Sequence, residues 1–323
     1  MTTQQPLRIL MSAQTLGRIG DAVSETLGRR AFEPVVAAGT HGHEPADVDL
    51  AFISRDVTGL STKHRVLEPL ESFYVSLRKS PRLAWVHVHS AGADRPIFGE
   101  LKQRGVRVTT SSANGQVVAQ TALAGILALA REFPRMFDAQ RARTWTPLIG
   151  GLLPRDLAGQ TAVIVGWGPI GRQLAGYLQM LGLKVIAVRS AAEPAADGVE
   201  TFAFEDLAEV AARADWLVLA CPLSDRTRGL VDAAVLARMA PHARLVNVAR
   251  GEVVVEQDLI KALRAQALAG AYLDVFEHEP LDGESPLWNL PNVIVTPHSA
   301  GHSDGNEARV DRIFLDYLRE WRQ

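Results

Sequence analysis

Short runs of apolar residues recur along this chain, each followed by a stretch with helical spacing. The first group lies at 7–10, 34–37, 50–53 and 85–88; a second lies at 107–109, 162–165, 184–188, 216–220, 244–248, 269–273 and 293–295. These runs are apolar at nearly every position rather than at alternate ones. That pattern predicts strands buried on both faces of a parallel sheet, with the intervening helices packed above and below. The fold class expected is α/β, with two doubly wound parallel-sheet domains.

The stretch 161–190, TAVIVGWGPIGRQLAGYLQMLGLKVIAVRS, reads as strand, glycine turn, helix, strand. Gly166, Gly168 and Gly171 have the G-x-G-x-x-G spacing in the context that gives it meaning. The first glycine permits the turn, the second lets a pyrophosphate approach the backbone, and the third lets helix and strand close up. The motif predicts a Rossmann domain that binds a dinucleotide. Arg189 and Ser190 follow the second strand, where a carboxylate would suit a ribose 2′-hydroxyl. A cation there suits a 2′-phosphate, so NADP(H) is preferred and NAD(H) is the second option. Gly17 and Gly20, after the first strand, lack the third glycine and read as a turn opening a helix.

The fingerprint normally follows the first strand of its domain, yet here it sits mid-chain. A cofactor domain over 104–298 is expected, with a separate α/β unit over 1–103. The segment 304–321 carries Val310, Ile313, Phe314, Tyr317, Leu318 and Trp321 on one helical stripe. It is expected to cross back, so that 299–323 completes the first domain and a cleft lies between the two.

Composition changes this picture little. With 34 Lys and Arg against 36 Asp and Glu, a net charge of −2 offers no general attraction to nucleic acid or anionic membranes. The run 117–130 is too short to span a bilayer and apolar nearly all round, which predicts a helix buried in the core or between subunits. A lone cysteine, Cys221, and a start without the pattern of a signal peptide make the cytoplasm the expected compartment. His41 with His43, and His87 with His89, lack a third ligand at metal spacing, so no metal is expected.

Three later blocks set polar residues just past strand ends, where open α/β sheets bind ligands: LVNVARGEVV, AYLDVFEHEPL and NVIVTPHSAG. Arg250, Asp274, Glu279 and His298 are expected to converge there. Arg250 suits a substrate carboxylate or ketone, His298 suits proton transfer, and Glu279 beside it would orient the ring and favour its charged form. From about Val106 to Gly301 the chain resembles the D-isomer-specific 2-hydroxyacid dehydrogenases, on VGWGPIG, CPLSDRTRGL, NVARGEVV, LDVFEHEPL, SPLWNLPNV and TPHSAG in the usual order.

The resemblance implies a flavodoxin-like substrate domain beside the Rossmann domain. It also implies catalysis by Arg250, Glu279 and His298, and a carboxamide-holding Asp274. Pyrophosphate contacts fall on Pro169 and Ile170, and cofactor-lining positions on Cys221, Pro222, Val248, Ala249, Ala300 and Gly301. The family's substrate-carboxylate loop looks like SAGAD, which implies backbone N–H groups near Ala91 and Gly92. The partners implied are a small 2-oxo or 2-hydroxy acid, of the glyoxylate or hydroxypyruvate type, and a second copy of the chain. The first hundred residues match the family weakly, and Gln120 stands where members often carry Glu. Alternatives are a dehydrogenase for another acid such as phosphoglycerate, with Arg55, Lys63 and Arg65 as available cations, or a dinucleotide-sensing binding protein without turnover.

Overall fold

The computed structural model describes residues 5–36, 47–62, 64–149, 153–196 and 198–322; His41, His43 and Lys63 lie outside them. The chain divides into two units, 1–114 with 303–323, and 115–302.

The first unit is built on β1 (Leu7–Met11), β2 (Phe32–Val36), β3 (Leu50–Ile53), β4 (Trp85–Val88) and β5 (Arg107–Thr110), in the order β2-β1-β3-β4-β5. Every pairing in it is parallel, and the order is that of flavodoxin-like sheets. Strand β5 corrects the sequence expectation, which placed it in the second sheet: Trp85 to Val88 pair in register with Arg107 to Thr110. An apolar run announces a strand but not its neighbour.

The helix Ala13–Leu27 starts at Ser12, whose Oγ accepts the N–H of Thr15 at 3.0 Å. Gly17 and Gly20 therefore sit inside this helix rather than in a turn that opens it. The C-terminal helix Asn306–Arg322 belongs to this unit, and its Val310, Phe314 and Leu318 join a core cluster with Leu7, Ile9, Phe52 and Trp85. Phe314 is fully buried and stacks on Phe52 with centroids 4.4 Å apart. Truncating such a ring to Ala costs ~3–5 kcal/mol.

His87, on β4, is fully buried against the rings of Phe52, Trp85, Phe314 and Tyr317. Its Nδ1 meets Thr109 Oγ1 at 2.8 Å, and its Nε2 has no hydrogen-bond partner among the described residues. Burial, with His89 nearby, pushes its pKa down to about 3, so the folded protein holds it neutral. The unfolded chain takes up this proton near pH 6.5. Stability is therefore full above that value and falls by ~1.4 kcal/mol per pH unit below it, levelling off near the folded pKa. Urea midpoints of wild type and His87→Phe between pH 6.5 and 4.5 test this. The wild type should show the steeper loss, and equal slopes would remove the assignment.

The second unit is built on β6 (Thr161–Val165), β7 (Lys184–Arg189), β8 (Glu200–Ala203), β9 (Trp216–Leu219), β10 (Arg244–Asn247), β11 (Gly270–Leu273) and β12 (Val293–Val295). Their order, β12-β11-β10-β9-β6-β7-β8, is again all parallel, and it reverses between β6 and β9 as in a Rossmann sheet. Strand β8 carries no clear signal in the sequence.

The helix Gly115–Ala130 packs Val118, Ala119, Ala122, Ile126 and Leu129 into the core of this unit. Gly125 makes the close approach possible, since a Cβ there would lie 2.5 Å from the Tyr272 ring. The next helix, Phe133–Arg141, buries none of its residues. Phe133, Met136 and Phe137 are 42%, 38% and 47% exposed, and Trp145 is 96% exposed. The uncovered apolar surface thus lies largely beyond the helix singled out by its apolar run. No single helix among the described residues is long and apolar enough to cross a membrane.

Candidate active site

The glycine turn after β6 has the shape its spacing predicts. Gly166 has φ +106°, and a Cβ on it would lie 2.6 Å from the backbone of Ala220 and Cys221. A Cβ on Gly171 would run into the carbonyl of Gly166, so this glycine lets the helix Pro169–Met180 close onto the strand. Gly168 is different, because a Cβ there meets nothing within 4 Å. Its open side, together with the first N–H groups of the helix, makes an anion cradle. Trp167 Nε1 donates to the carbonyl of Ala195 at 3.0 Å, tying the turn to the loop after Arg189 and Ser190. Arg172 Nη1 donates to the Trp167 carbonyl at 2.9 Å, so it braces the turn.

Cys221 and Pro222 follow β9, and burial pushes the Cys221 thiol up to about 12. A thiol held protonated in this way is a poor nucleophile. Val248 and Ala249 follow β10, both buried. Asn247, 1% exposed, shapes what comes next: its Oδ1 accepts the Ala249 N–H and its Nδ2 donates to the Arg250 carbonyl, each at 3.0 Å. The sequence reading missed this residue, although a lone amide in an apolar strand end was a usable signal. Arg250 is half-buried, with Nη1 donating to the Ala249 carbonyl at 2.7 Å.

Gly251 has no Cβ to strike the backbone of Phe276 and Glu277, which fill that position. Its absence brings the Arg250 turn against the segment that carries Glu279. Glu279 folds back so that Oε1 accepts the Phe276 N–H at 3.1 Å, which leaves Oε2 for His298 Nδ1 at 2.8 Å. Glu279 is 14% exposed along its side chain and His298 48%. Glu256 supports the same segment, accepting the Glu277 N–H at 3.1 Å; burial raises its pKa.

His298 has φ +49°, a left-handed conformation that histidine adopts more readily than most residues. Its N–H donates to the Asp274 carbonyl at 2.8 Å. Asp274, 2% exposed, accepts from Thr296 Oγ1 at 2.6 Å, from the Ser299 N–H at 2.9 Å and from the Ala300 N–H at 3.0 Å. Both its oxygens are therefore occupied in holding the loop on which His298 sits. Tyr272 OH steadies Thr296 at 2.8 Å, and Thr121 Oγ1 donates to the Ala300 carbonyl at 3.0 Å. The sequence reading had none of these three supports.

The glycine turn, Cys221, Val248 to Arg250, Asp274 and His298 stand just past the carboxyl ends of β6, β9, β10, β11 and β12 of one sheet, and Arg189 is the last residue of β7. The structure joins Glu279 to His298 directly and sets the Arg250 turn against their segment. Ala91 and Gly92 belong to the first unit, past β4, in a turn where Ser90 Oγ donates to the Gly92 carbonyl at 2.7 Å.

Residues 123–300 match the model of the D-isomer specific 2-hydroxyacid dehydrogenase NAD-binding domain. A glyoxylate reductase from Thermococcus gammatolerans is 36% identical over 227 residues, 68% of this chain and 67% of that protein. A protein from Corynebacterium melassecola, described as uncharacterized, is 40% identical over 156 residues, 48% of this chain and 51% of its own length. Among solved structures, the NADPH-dependent glyoxylate/hydroxypyruvate reductase of Sinorhizobium meliloti, in complex with NADP and malonate, is 26% identical. It superposes with a TM-score of 0.74 over 98% of this chain and 94% of that one. The chain belongs to the D-isomer specific 2-hydroxyacid dehydrogenase family.

Proposed function

We propose that the chain is an NADPH-dependent reductase of short 2-oxo acids, of the glyoxylate or hydroxypyruvate type, yielding a D-2-hydroxy acid. One observation carries the reading: the His298–Glu279 hydrogen bond stands at the same sheet edge as the glycine cradle. The activities named for the Thermococcus and Sinorhizobium relatives support the substrate class.

The cradle suits a dinucleotide, because Gly168 leaves open space at the helix start, where a pyrophosphate would sit beside Pro169 and Ile170. When bound, the nicotinamide supplies the hydride. Cys221, Pro222, Val248, Ala249, Ala300 and Gly301 would line it, and Arg189 with Ser190 would take the 2′-phosphate of NADP(H), with NAD(H) as the weaker alternative. His298 would give its proton to the substrate's carbonyl oxygen as that oxygen gains negative charge. Glu279 holds the ring by Nδ1, which leaves Nε2 to face the substrate. Arg250 would bind the carboxylate or polarise the ketone. The N–H groups near Ala91 and Gly92 would receive the substrate carboxylate. The proposed setting is the cytoplasm.

A matrix of NADPH and NADH against small 2-oxo acids tests this directly, and no turnover anywhere in it would sink the reading. In the same assay Arg189→Ala should shrink the preference for NADPH over NADH by about 10- to 100-fold, the worth of a charged hydrogen bond to phosphate. An unmoved preference would place the 2′-phosphate elsewhere.

The same reading includes a homodimer. Phe133, Met136 and Phe137 on one helix, with Trp145 just beyond it, leave apolar side chains exposed close together, which supports a subunit interface there. Phe137→Glu should shift the protein from dimer to monomer in sedimentation velocity. A wild-type protein that is already monomeric at micromolar concentration would remove the proposal.

A further inference from the structure

Behind His298 a chain of hydroxyl groups runs along one face of the second sheet. Tyr272 and Asp274 stand two residues apart at the end of β11, so their side chains lie on the same face. Tyr272 pairs in register with Ile294 of β12, which puts Thr296, two residues on, beside them. Tyr272 is 2% exposed, and its ring lies against the helix Gly115–Ala130 at Gly125, where a side chain would collide with it.

Proton count fixes the direction of the chain. Thr296 Oγ1 donates to Asp274 Oδ1 at 2.6 Å, which uses the only proton that hydroxyl has. Where it meets Tyr272 OH, at 2.8 Å, Thr296 must therefore accept and the phenol donate. Burial pushes the phenol up to about 12, so its proton stays in place at neutral pH.

Asp274 carries this order to the residues around the imidazole. Its carbonyl accepts the His298 N–H at 2.8 Å, and its carboxylate accepts the N–H groups of Ser299 and Ala300 at 2.9 and 3.0 Å. The helix reaches the loop again one turn before Gly125, where Thr121 Oγ1 shares its proton between the carbonyls of Val117 and Ala300. Each residue from 298 to 300 is thus tied down, and the left-handed backbone of His298 is held among these bonds.

We propose that Tyr272 is a positioning residue for His298: its hydroxyl fixes Thr296, Thr296 and Asp274 fix the loop, and the loop fixes where the imidazole meets the substrate. The proposal rests on the 2-oxo acid reading above and adds to it a buried group that acts through the loop.

Tyr272→Phe keeps the ring and removes the hydroxyl alone. In the full-length protein it should lower kcat at least about fivefold while KM for NADPH changes by less than about twofold. Without substrate, the Ser299 and Ala300 N–H groups should exchange with solvent at least about fivefold faster. A role in stability alone would lower the melting temperature and leave kcat per folded molecule as it was. Thr296→Val, which breaks the same chain, should repeat both effects, and Thr296→Ser, which keeps the hydroxyl, should restore them. Tyr272→Phe added to Thr296→Val should lower kcat no further, because the phenol acts only through Thr296. Unmoved kcat and exchange in Tyr272→Phe, additive losses in the double variant, or Thr296→Ser as impaired as Thr296→Val overturns the proposal. The two Thr296 variants decide the matter where Tyr272→Phe fails to fold. Turnover of no 2-oxo acid by the wild type removes the functional reading and this role with it; wild-type turnover with unmoved variants removes the role alone.

Discussion

Replacing His298 by Asn should lower kcat for 2-oxo acid reduction by about 10²- to 10⁴-fold, the range expected when a positioned proton donor is lost. Asn is the substitution of choice because position 298 has φ +49°, and Asn tolerates the left-handed region about as well as His. The loop's bonds from the backbone, His298 N–H to Asp274 and the Ser299 and Ala300 N–H groups to the Asp274 carboxylate, survive the change. A large fall in kcat with an unchanged melting temperature would therefore report chemistry rather than folding. Full turnover in the variant would end the case for His298 as the acid.

How much of this was readable in the chain depends on how local each cause is. The roles expected of Gly166, Gly168 and Gly171 are set within six residues by one turn, so spacing alone announced them, and the structure shows the tight turn at Gly166 and the close packing at Gly171. The strand inventory was nearly complete, because strands buried on both faces carry a continuous apolar run. Strand β8 lies at the edge of its sheet, exposed or half-buried at each of its four positions, and carries no such run.

Partnership was harder to read than existence. Strand β5 was visible, yet its register with β4 is a long-range fact that its own residues do not encode. Glu279 lies beside exposed Glu277 and His278 and looks like a solvated loop residue; its bonds to Phe276 N–H and His298 arise only when two distant segments meet. Thr121, Asn247, Tyr272 and Thr296 escaped notice for a related reason. They brace the site from behind, and bracing is a property of the packed molecule. The apolar surface on 133–145 was overlooked because the preceding helix has the stronger hydrophobic signal, although folding hides much of that helix.

Gly251→Ala should cost the protein its activity by a route that no charge or proton explains. The position needs a glycine for space: the site of its missing Cβ is occupied by the backbone of Phe276 and Glu277. A rigid main chain cannot rotate away as a flexible side chain can, so the two segments must separate. On one side of that contact is the Arg250 turn, fixed by the two Asn247 bonds. On the other is the segment whose Glu279 holds His298, itself tied back to Glu256. Both anchors resist, and the extra carbon must be accommodated by shifting Glu279 or Arg250 by a sizeable part of an ångström. A displacement near 1 Å in such a site costs about 10²-fold in rate, and overpacking a buried contact costs ~1–3 kcal/mol. The expected result is a kcat at least about 100-fold down with a lowered melting temperature. Binding of NADPH, followed by its fluorescence, should fall far less than kcat in the fraction that folds, since the glycine turn after β6 is not part of this contact. A Gly251→Ala enzyme with wild-type kcat would mean that the two turns are not pressed together in solution, and the proposed arrangement of Arg250 with the Glu279–His298 pair would fall with it.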